Sequence, residues 1–195
     1  MFTGIIKKVE KVKNIRQKGG SLFVDVGLPK GWQLAEGQSI SINGICSTVR
    51  AIGKTSFEVE YMPETISKTT VSKWAAGLPV NLEQSLRLND FVDGHLVQGH
   101  VDMTGEIVKI EKKGDSRIFS IQPPKELMNC IVPKGSVALD GVSLTVASVV
   151  RDWFTVSLVS YTLEHTNFGD KKAGESVNIE TDIVGKYVKR MFSKQ

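Results

Sequence analysis

Two short stretches hold the side chains best suited to chemistry: Asn43-Gly-Ile-Cys-Ser-Thr-Val49 and Asp140-Gly-Val-Ser-Leu-Thr-Val146. Each sets a tight turn before a strand. A small nucleophilic or hydrogen-bonding group follows (Cys46, Ser143), then a threonine two residues on (Thr48, Thr145). Residues two apart on a strand share a face, so each stretch offers a polar pair pointing one way. Such a pair can hold the edge of a heterocycle or position a water. The competing account is turn chemistry and core packing: threonine is an ordinary strand residue, and a buried cysteine behaves as a small hydrophobe. Its appearance in two places weighs toward a site.

A second constellation, Asp93-Gly-His-Leu-Val-Gln-Gly-His-Val-Asp102, carries two of the three histidines. Imidazole is the usual proton carrier near neutral pH. His95 and His100 are five residues apart, which places them on opposite faces of a strand. Zinc-type spacings are missing, so no metal is expected. Either histidine can instead be a hydrogen-bonded structural group, His95 more readily. A third pair, Met62-Pro-Glu-Thr65 and Val159-Ser-Tyr-Thr162, follows a strand and opens a short helix in each case. Backbone N–H groups at such starts bind ligand oxygens, or are capped by Thr or Ser. His165 falls in a Thr-rich surface region. Lys134, ahead of the second turn, is solvated unless a ligand's polar tail meets it. Dinucleotide glycine motifs, phosphate loops, nucleophile elbows and zinc-protease helices are absent from the sequence.

These groups recur because the chain repeats itself. Ser39 to Glu83 aligns without a gap with Ser136 to Glu180 at an offset of 97, sharing Gly44/Gly141, Thr48/Thr145, Phe57/Phe154, Thr65/Thr162, Asn81/Asn178 and Glu83/Glu180. The opening segments match at an offset of 95 through Gly4/Gly99 and Ile6/Val101, which sets Ile5 opposite His100. A period this long is a domain, not a solenoid unit. Two domains are expected, over 1–96 and 97–180, with 181–195 left over. A duplicated domain can hold two related sites, and the unmatched His100 points to a division of labour between them.

The elements that position these residues read mainly as strands. Ser21–Gly27, Gln38–Ile42, Ser56–Tyr61, Ser136–Asp140 and Trp153–Leu158 alternate with period two, separated by turn signals such as Asn43-Gly44 and Asp140-Gly141. Short strands with frequent turns predict a small sandwich or closed barrel in each half, since closure removes exposed edges. Short helices are expected at Pro63–Lys68, Ser160–His165 and Pro124–Cys130. The tail, Thr181 to Phe192, places Ile183, Val184, Tyr187, Val188 and Met191 on one helical face, with Thr181 or Asp182 as cap. That stripe needs cover from the same chain or from an identical helix.

The bulk numbers exclude several classes. At 195 residues, 41% apolar, the chain has an ordinary globular composition. The net charge of +4 comes from scattered lysines and arginines. That is too diffuse for a nucleic-acid stripe, so no nucleic-acid partner is expected. Two cysteines, Cys46 and Cys130, form neither metal motif nor disulfide framework, which suits a reducing cytosol. No signal peptide or run long enough to span a bilayer is visible, so neither export nor a membrane partner is expected.

Taken together, the motifs resemble the riboflavin synthase family of the alpha-chain type. Those that carry the resemblance are the opening Met1-Phe-Thr-Gly-Ile-Ile6, NGICSTV, MPET, VNLE, GHLVQGHVD, KGSVALDGVSLTV, TLEHT and VNIE, in order, across nearly the whole chain. The resemblance implies an all-β chain of two six-stranded Greek-key barrels with a C-terminal helix, usually a homotrimer. It implies dismutation of two 6,7-dimethyl-8-ribityllumazine molecules by transfer of a four-carbon unit, giving riboflavin and 5-amino-6-ribitylamino-uracil. No metal or redox cofactor is implied, the location is cytoplasmic, and association with lumazine synthase is a further implied partnership.

By the same resemblance, His100 with Thr145 is expected to assist proton removal from the C7 methyl, and Cys46 and Ser143 to hold or activate a nucleophile. Asp140 is expected to orient Ser143 or meet the ribityl chain. The first pocket is expected to use Gly4, Ile5 and Ile6; Cys46, Ser47 and Thr48; and Glu60, Tyr61, Met62, Pro63, Glu64 and Thr65. The second is expected to use Gly99, His100 and Val101; Lys134; Ser143, Leu144 and Thr145; and Val159, Ser160, Tyr161, Thr162, Leu163 and Glu164. Two departures from the family pattern stand out. Ser47 replaces a leucine and makes that strand more polar, and Val159-Ser160-Tyr161-Thr162 lacks the usual proline. The rival reading is a non-catalytic lumazine- or flavin-binding antenna on the same fold. A reductase barrel would need a nucleotide domain for which the chain has no room.

Overall fold

The computed structural model describes residues 1–192. Strands β1 (Lys8–Lys18), β2 (Ser21–Gly27), β3 (Ser39–Ile42), β4 (Ile45–Ile52), β5 (Ser56–Tyr61) and β6 (Pro79–Gln84) close into one antiparallel barrel. Strands β7 (Met103–Lys113), β8 (Ser116–Gln122), β9 (Ser136–Leu139), β10 (Val142–Val150), β11 (Trp153–Leu158) and β12 (Ser176–Thr181) close into a second. Around the first barrel the order is β1-β2-β5-β4-β3-β6, and the second repeats it strand for strand. This is the expected Greek-key order: β2 lies beside β5, while β3 follows it only in sequence. Helix α1 (Pro63–Lys68) follows β5, and α3 (Ser160–His165) follows β11 at the same repeat position. Helix α2 (Lys125–Met128) is shorter than expected, and α4 (Ile183–Phe192) closes the described chain. The last three residues of the expected 181–195 segment lie outside the described residues.

Each barrel is filled by the inward half of the period-two pattern. Val24, Val26, Ile40, Ile42, Val49, Phe57, Val59 and Leu82 fill the first; Ile107, Phe119, Ile121, Leu139, Val146, Phe154, Val156 and Ile179 fill the second. Strand β1 escapes the sequence reading because only Val12 of its eleven residues is buried. It is held by ladders to β2 on one side and β6 on the other. Asp182 caps α4 by accepting from the Val184 N–H at 3.0 Å. Among the described residues, no helix is long and apolar enough to cross a membrane.

The barrels meet about a pseudo-twofold axis where the two turns pack together. A Cβ on Gly44 would lie 2.6 Å from the Gly141 nitrogen, so only glycine permits this approach. Buried amides fix the axis reciprocally. Asn81 Nδ2 donates to the Asp140 carbonyl at 2.9 Å, and Asn178 Nδ2 to the Asn43 carbonyl at 2.8 Å. The symmetry breaks at Asp140. The fully buried Asp140 carboxylate pairs with Lys171 at 3.1 Å, while its twin is the neutral Asn43.

Candidate functional site: two crossed pockets

Burial along β4 and β10 separates core from site. Ile45, Ser47 and Val49 are buried while Cys46 is half-buried and Thr48 exposed; Val142, Leu144 and Val146 are buried while Ser143 is half-buried and Thr145 exposed. The nucleophile–threonine pairs therefore sit on the outer barrel faces. The side chains of Ser47, Tyr61 and Leu144, expected in the pocket lists, are buried on the inner side instead. Ser47 Oγ lies 2.9 Å from both the Ile45 carbonyl and the Tyr61 hydroxyl, inside the first barrel. Burial pushes the Tyr61 phenol up. The repeat positions of this pair are Leu144 and Leu158, both core residues of the second barrel. The polar side chain of Ser47 thus finds its partner in Tyr61 inside the barrel.

The structure also reverses the pairing of the opening arms. Gly4, expected beside Cys46, accepts the Ser143 N–H on its carbonyl at 2.8 Å, and Ile6 packs on the second barrel's core. Gly99, expected beside Ser143, accepts the Cys46 N–H at 2.8 Å, and Val101 packs on the first barrel's core. Each arm crosses to the other barrel. Both glycines take the left-handed backbone, φ +76° and +78°, and a Cβ would strike Ser143 or Cys46 at 2.6–2.7 Å. The arm of Gly99, His100 and Val101 therefore runs beside Cys46 and Thr48, and the arm of Gly4, Ile5 and Ile6 beside Ser143 and Thr145, two groupings that are candidate pockets. His100 and Thr145 thus fall in different groupings of the same chain.

Beside Ser143 stands a histidine that sequence reasoning favoured as structural. His95 Nδ1 lies 2.7 Å from Ser143 Oγ, and the His95 N–H donates to the Thr3 carbonyl at 3.2 Å. Its Nε2 is buried without a hydrogen-bond partner among the described residues. Burial holds the imidazole below the usual histidine range, opposed by the charge of Asp182. A neutral imidazole against a serine hydroxyl is a proton-transfer pair. No spacing rule could reveal it, because the partners are 48 residues apart.

Asp140 already has partners within the chain. Its carboxylate accepts the Asn178 N–H at 2.8 Å and meets Lys171, so it is engaged at the axis and makes no contact with Ser143. Lys134 is exposed and keeps a left-handed backbone, φ 68°, where its twin is Gly37. At the rims, Met62 and Val159 are the N-caps of α1 and α3, and neither helix start is capped by a side chain. Pro63 and Glu64 open α1, and Ser160 opens α3. Thr65 and Thr162 are half-buried, as are Glu60 and Leu163, while Glu164 is exposed. The exposed Tyr161 ring stacks on His165 at 4.0 Å, where the first barrel has a Glu64–Lys68 ion pair at 2.6 Å. A cleft of about 390 Å³ lies elsewhere, lined by Asn43, Trp74, Asn167 and Lys171; it holds neither nucleophile. Among the described residues, no group of three or more His, Cys, Asp or Glu could hold a metal.

The model of the lumazine binding domain matches twice, over residues 3–85 and 98–182. The chain belongs to the riboflavin synthase family. Riboflavin synthase of Brucella abortus is 41% identical, with all of both chains covered. That of Actinobacillus pleuropneumoniae is 39% identical over all of this chain and 91% of its own. In fold, the chain is similar to LumP complexed with riboflavin, with TM-score 0.87, 23% identity and coverage of 93% of this chain and 99% of LumP. LumP complexed with 6,7-dimethyl-8-(1'-D-ribityl) lumazine gives TM-score 0.85 at 22% identity, covering 93% of this chain and 99% of that one. In this family member the two matched domains begin in the two arms that cross.

Proposed function

We propose that this protein is a riboflavin synthase: it joins two molecules of 6,7-dimethyl-8-ribityllumazine, moving a four-carbon unit from one to the other. The products are riboflavin and 5-amino-6-ribitylamino-uracil. The observation that carries the reading is a pair of matched but chemically unlike pockets. One offers Cys46, Thr48 and His100; the other offers Ser143, Thr145 and the neutral His95. A reaction between two copies of one molecule, with one as donor and one as acceptor, calls for that arrangement. Much of the acceleration is juxtaposition of two bound rings, an effect worth about 7–11 kcal/mol at best.

Proton transfer from the acidic C7 methyl needs a neutral base, and attack at C7 of the other ring needs a held nucleophile. His95 acting on Ser143, or on a water beside it, supplies the first kind of group in the second pocket. Cys46 and Thr48 supply hydrogen-bonding groups in the first, with His100 the next residue after Gly99, whose carbonyl holds the Cys46 N–H.

Both pockets lie on outer faces with Thr48 and Thr145 exposed. A second copy of the chain is the natural cover: barrel one of a subunit against barrel two of its neighbour. The joint action expected of His100 and Thr145 then takes place between chains. Helix α4 exposes Val184, Tyr187, Val188, Met191 and Phe192, an apolar stripe suited to three-fold assembly. Light scattering on the wild type and on Tyr187→Glu tests this assembly.

Incubation with 6,7-dimethyl-8-ribityllumazine alone tests the function. Riboflavin fluorescence should rise with one pyrimidine released per riboflavin. A bound but unchanged ligand would instead establish the antenna reading.

A further inference from the structure

We infer that two buried glutamates are positioning residues that act across the chain: Glu180, rooted in the second barrel, sets the first pocket, and Glu83, rooted in the first barrel, sets the second. The part of this that concerns turnover rests on the two-pocket reading above.

The geometry is the same on both sides. Glu180 lies on β12 and is buried. Its Oε1 accepts the Gln98 N–H at 2.7 Å and its Oε2 the Gly99 N–H at 2.9 Å. The Gly99 carbonyl in turn accepts the Cys46 N–H at 2.8 Å. The carboxylate thus fixes one edge of the arm, Cys46 is tied to the other edge, and His100 is the next residue. On the opposite side, Glu83 of β6 accepts the Thr3 N–H and hydroxyl at 2.7 and 2.8 Å, and the Gly4 N–H at 3.0 Å. The Gly4 carbonyl accepts the Ser143 N–H, and the Thr3 carbonyl accepts the His95 N–H.

The chemistry requires an acceptor-only group at these two places. Two or three donors converge on each side chain, and an ionised carboxylate can accept from all of them. An amide of the same shape would present its own N–H₂ to one of the donors. Burial pushes both carboxyls up, and the converging N–H groups oppose it. Strands β6 and β12 have strand neighbours on both sides through their backbones. The hydrogen bonds of both side chains go to the arms, so barrel closure does not depend on them.

The experiment uses the full chain with Glu180→Gln and Glu83→Gln, following amide hydrogen exchange at Cys46 and Ser143 by NMR. E180Q should speed exchange of the Cys46 amide about tenfold or more, as expected for loss of a buried charge-assisted hydrogen bond, and leave Ser143 within about twofold. E83Q should do the reverse. Alkylation of Cys46 by iodoacetamide should accelerate in E180Q only, with Cys130 as the internal reference. In turnover, E180Q should lower kcat by a larger factor than it raises KM. Each variant loosening only its own barrel's nucleophile, or neither amide responding in folded variants, would overturn the inference. If glutamine at 180 prevents folding, E83Q makes the same test from the other side. Exchange and alkylation need no turnover, so they remain decisive even if the synthase reading fails.

Discussion

The ion pair between Asp140 and Lys171 gives the sharpest test of what this turn does. Asp140 has 1% of its side chain exposed and Lys171 14%, with 3.1 Å between them. Lys171→Met leaves the carboxylate buried without its cation. Removing one partner of a buried pair costs about 3–5 kcal/mol. The lower end applies here, because Asp140 keeps the Asn178 N–H at 2.8 Å and the Asn167 amide at 3.4 Å. For a chain of this size, about 3 kcal/mol lowers Tm by about 6–12 °C. The first barrel shows the remedy. Its Asn43 holds the equivalent turn at φ 47°, close to the 42° of Asp140, with no cation, and Trp74 occupies the repeat position of Lys171. Asp140→Asn with Lys171→Met should therefore recover to within about 1–2 kcal/mol of the wild type, a strong positive coupling in a double-mutant cycle. Thermal unfolding gives the cycle, and steady-state turnover gives the decision. The double variant should keep kcat/KM within about threefold. A folded double variant that loses about a hundredfold or more would show that the Asp140 carboxylate takes part in the chemistry, and the structural assignment would fall.

His95→Gln should lower kcat about a hundredfold or more, the usual contribution of a general base, while lumazine binding measured by fluorescence changes much less. Since burial lowers the His95 pKa, wild-type kcat/KM should hold its plateau as pH falls through the ordinary histidine value of about 6.5, declining only below it. The matching stability term runs the same way: the unfolded chain protonates first, so stability present above about pH 6.5 is lost as pH falls toward the lowered folded value. Ser47→Leu should cost about 1–3 kcal/mol in chemical denaturation by stranding the buried Tyr61 hydroxyl, and adding Tyr61→Phe should restore much of it. Lys134→Gly should raise stability by about 1 kcal/mol, by relieving a left-handed backbone, and weaken binding of the ribityl-bearing ligand in titration.

Local chemistry carried far in this chain. The turns at Asn43-Gly44 and Asp140-Gly141 were legible because positive φ favours those residue types, and both take it. That Cys46 shares a face with Thr48, and Ser143 with Thr145, followed from the strand repeat alone. The short helices at Pro63–Lys68 and Ser160–His165 were legible as breaks in that repeat. Strand β1 was not, because its lysine-rich face alternates nothing apolar, and its place is fixed by neighbours at both edges.

The sequence by itself determined that there are two matched modules, through a repeat at an offset of 97. It also determined which residues turn the chain and which side of each strand carries the reactive groups, since both are set by contacts a few residues apart. Only the tertiary structure decided that the arms cross, that Glu83 and Glu180 hold them, that His95 meets Ser143, and that Ser47 and Asp140 look inward. The crossed arms, the two glutamates and His95 depend on hydrogen bonds between residues 48 or more positions apart, such as His95 with Ser143 at 48 and Gln98 with Glu180 at 82. No local preference of either partner encodes such a meeting; it is fixed when two closed barrels pack and leave each buried donor one acceptor within reach.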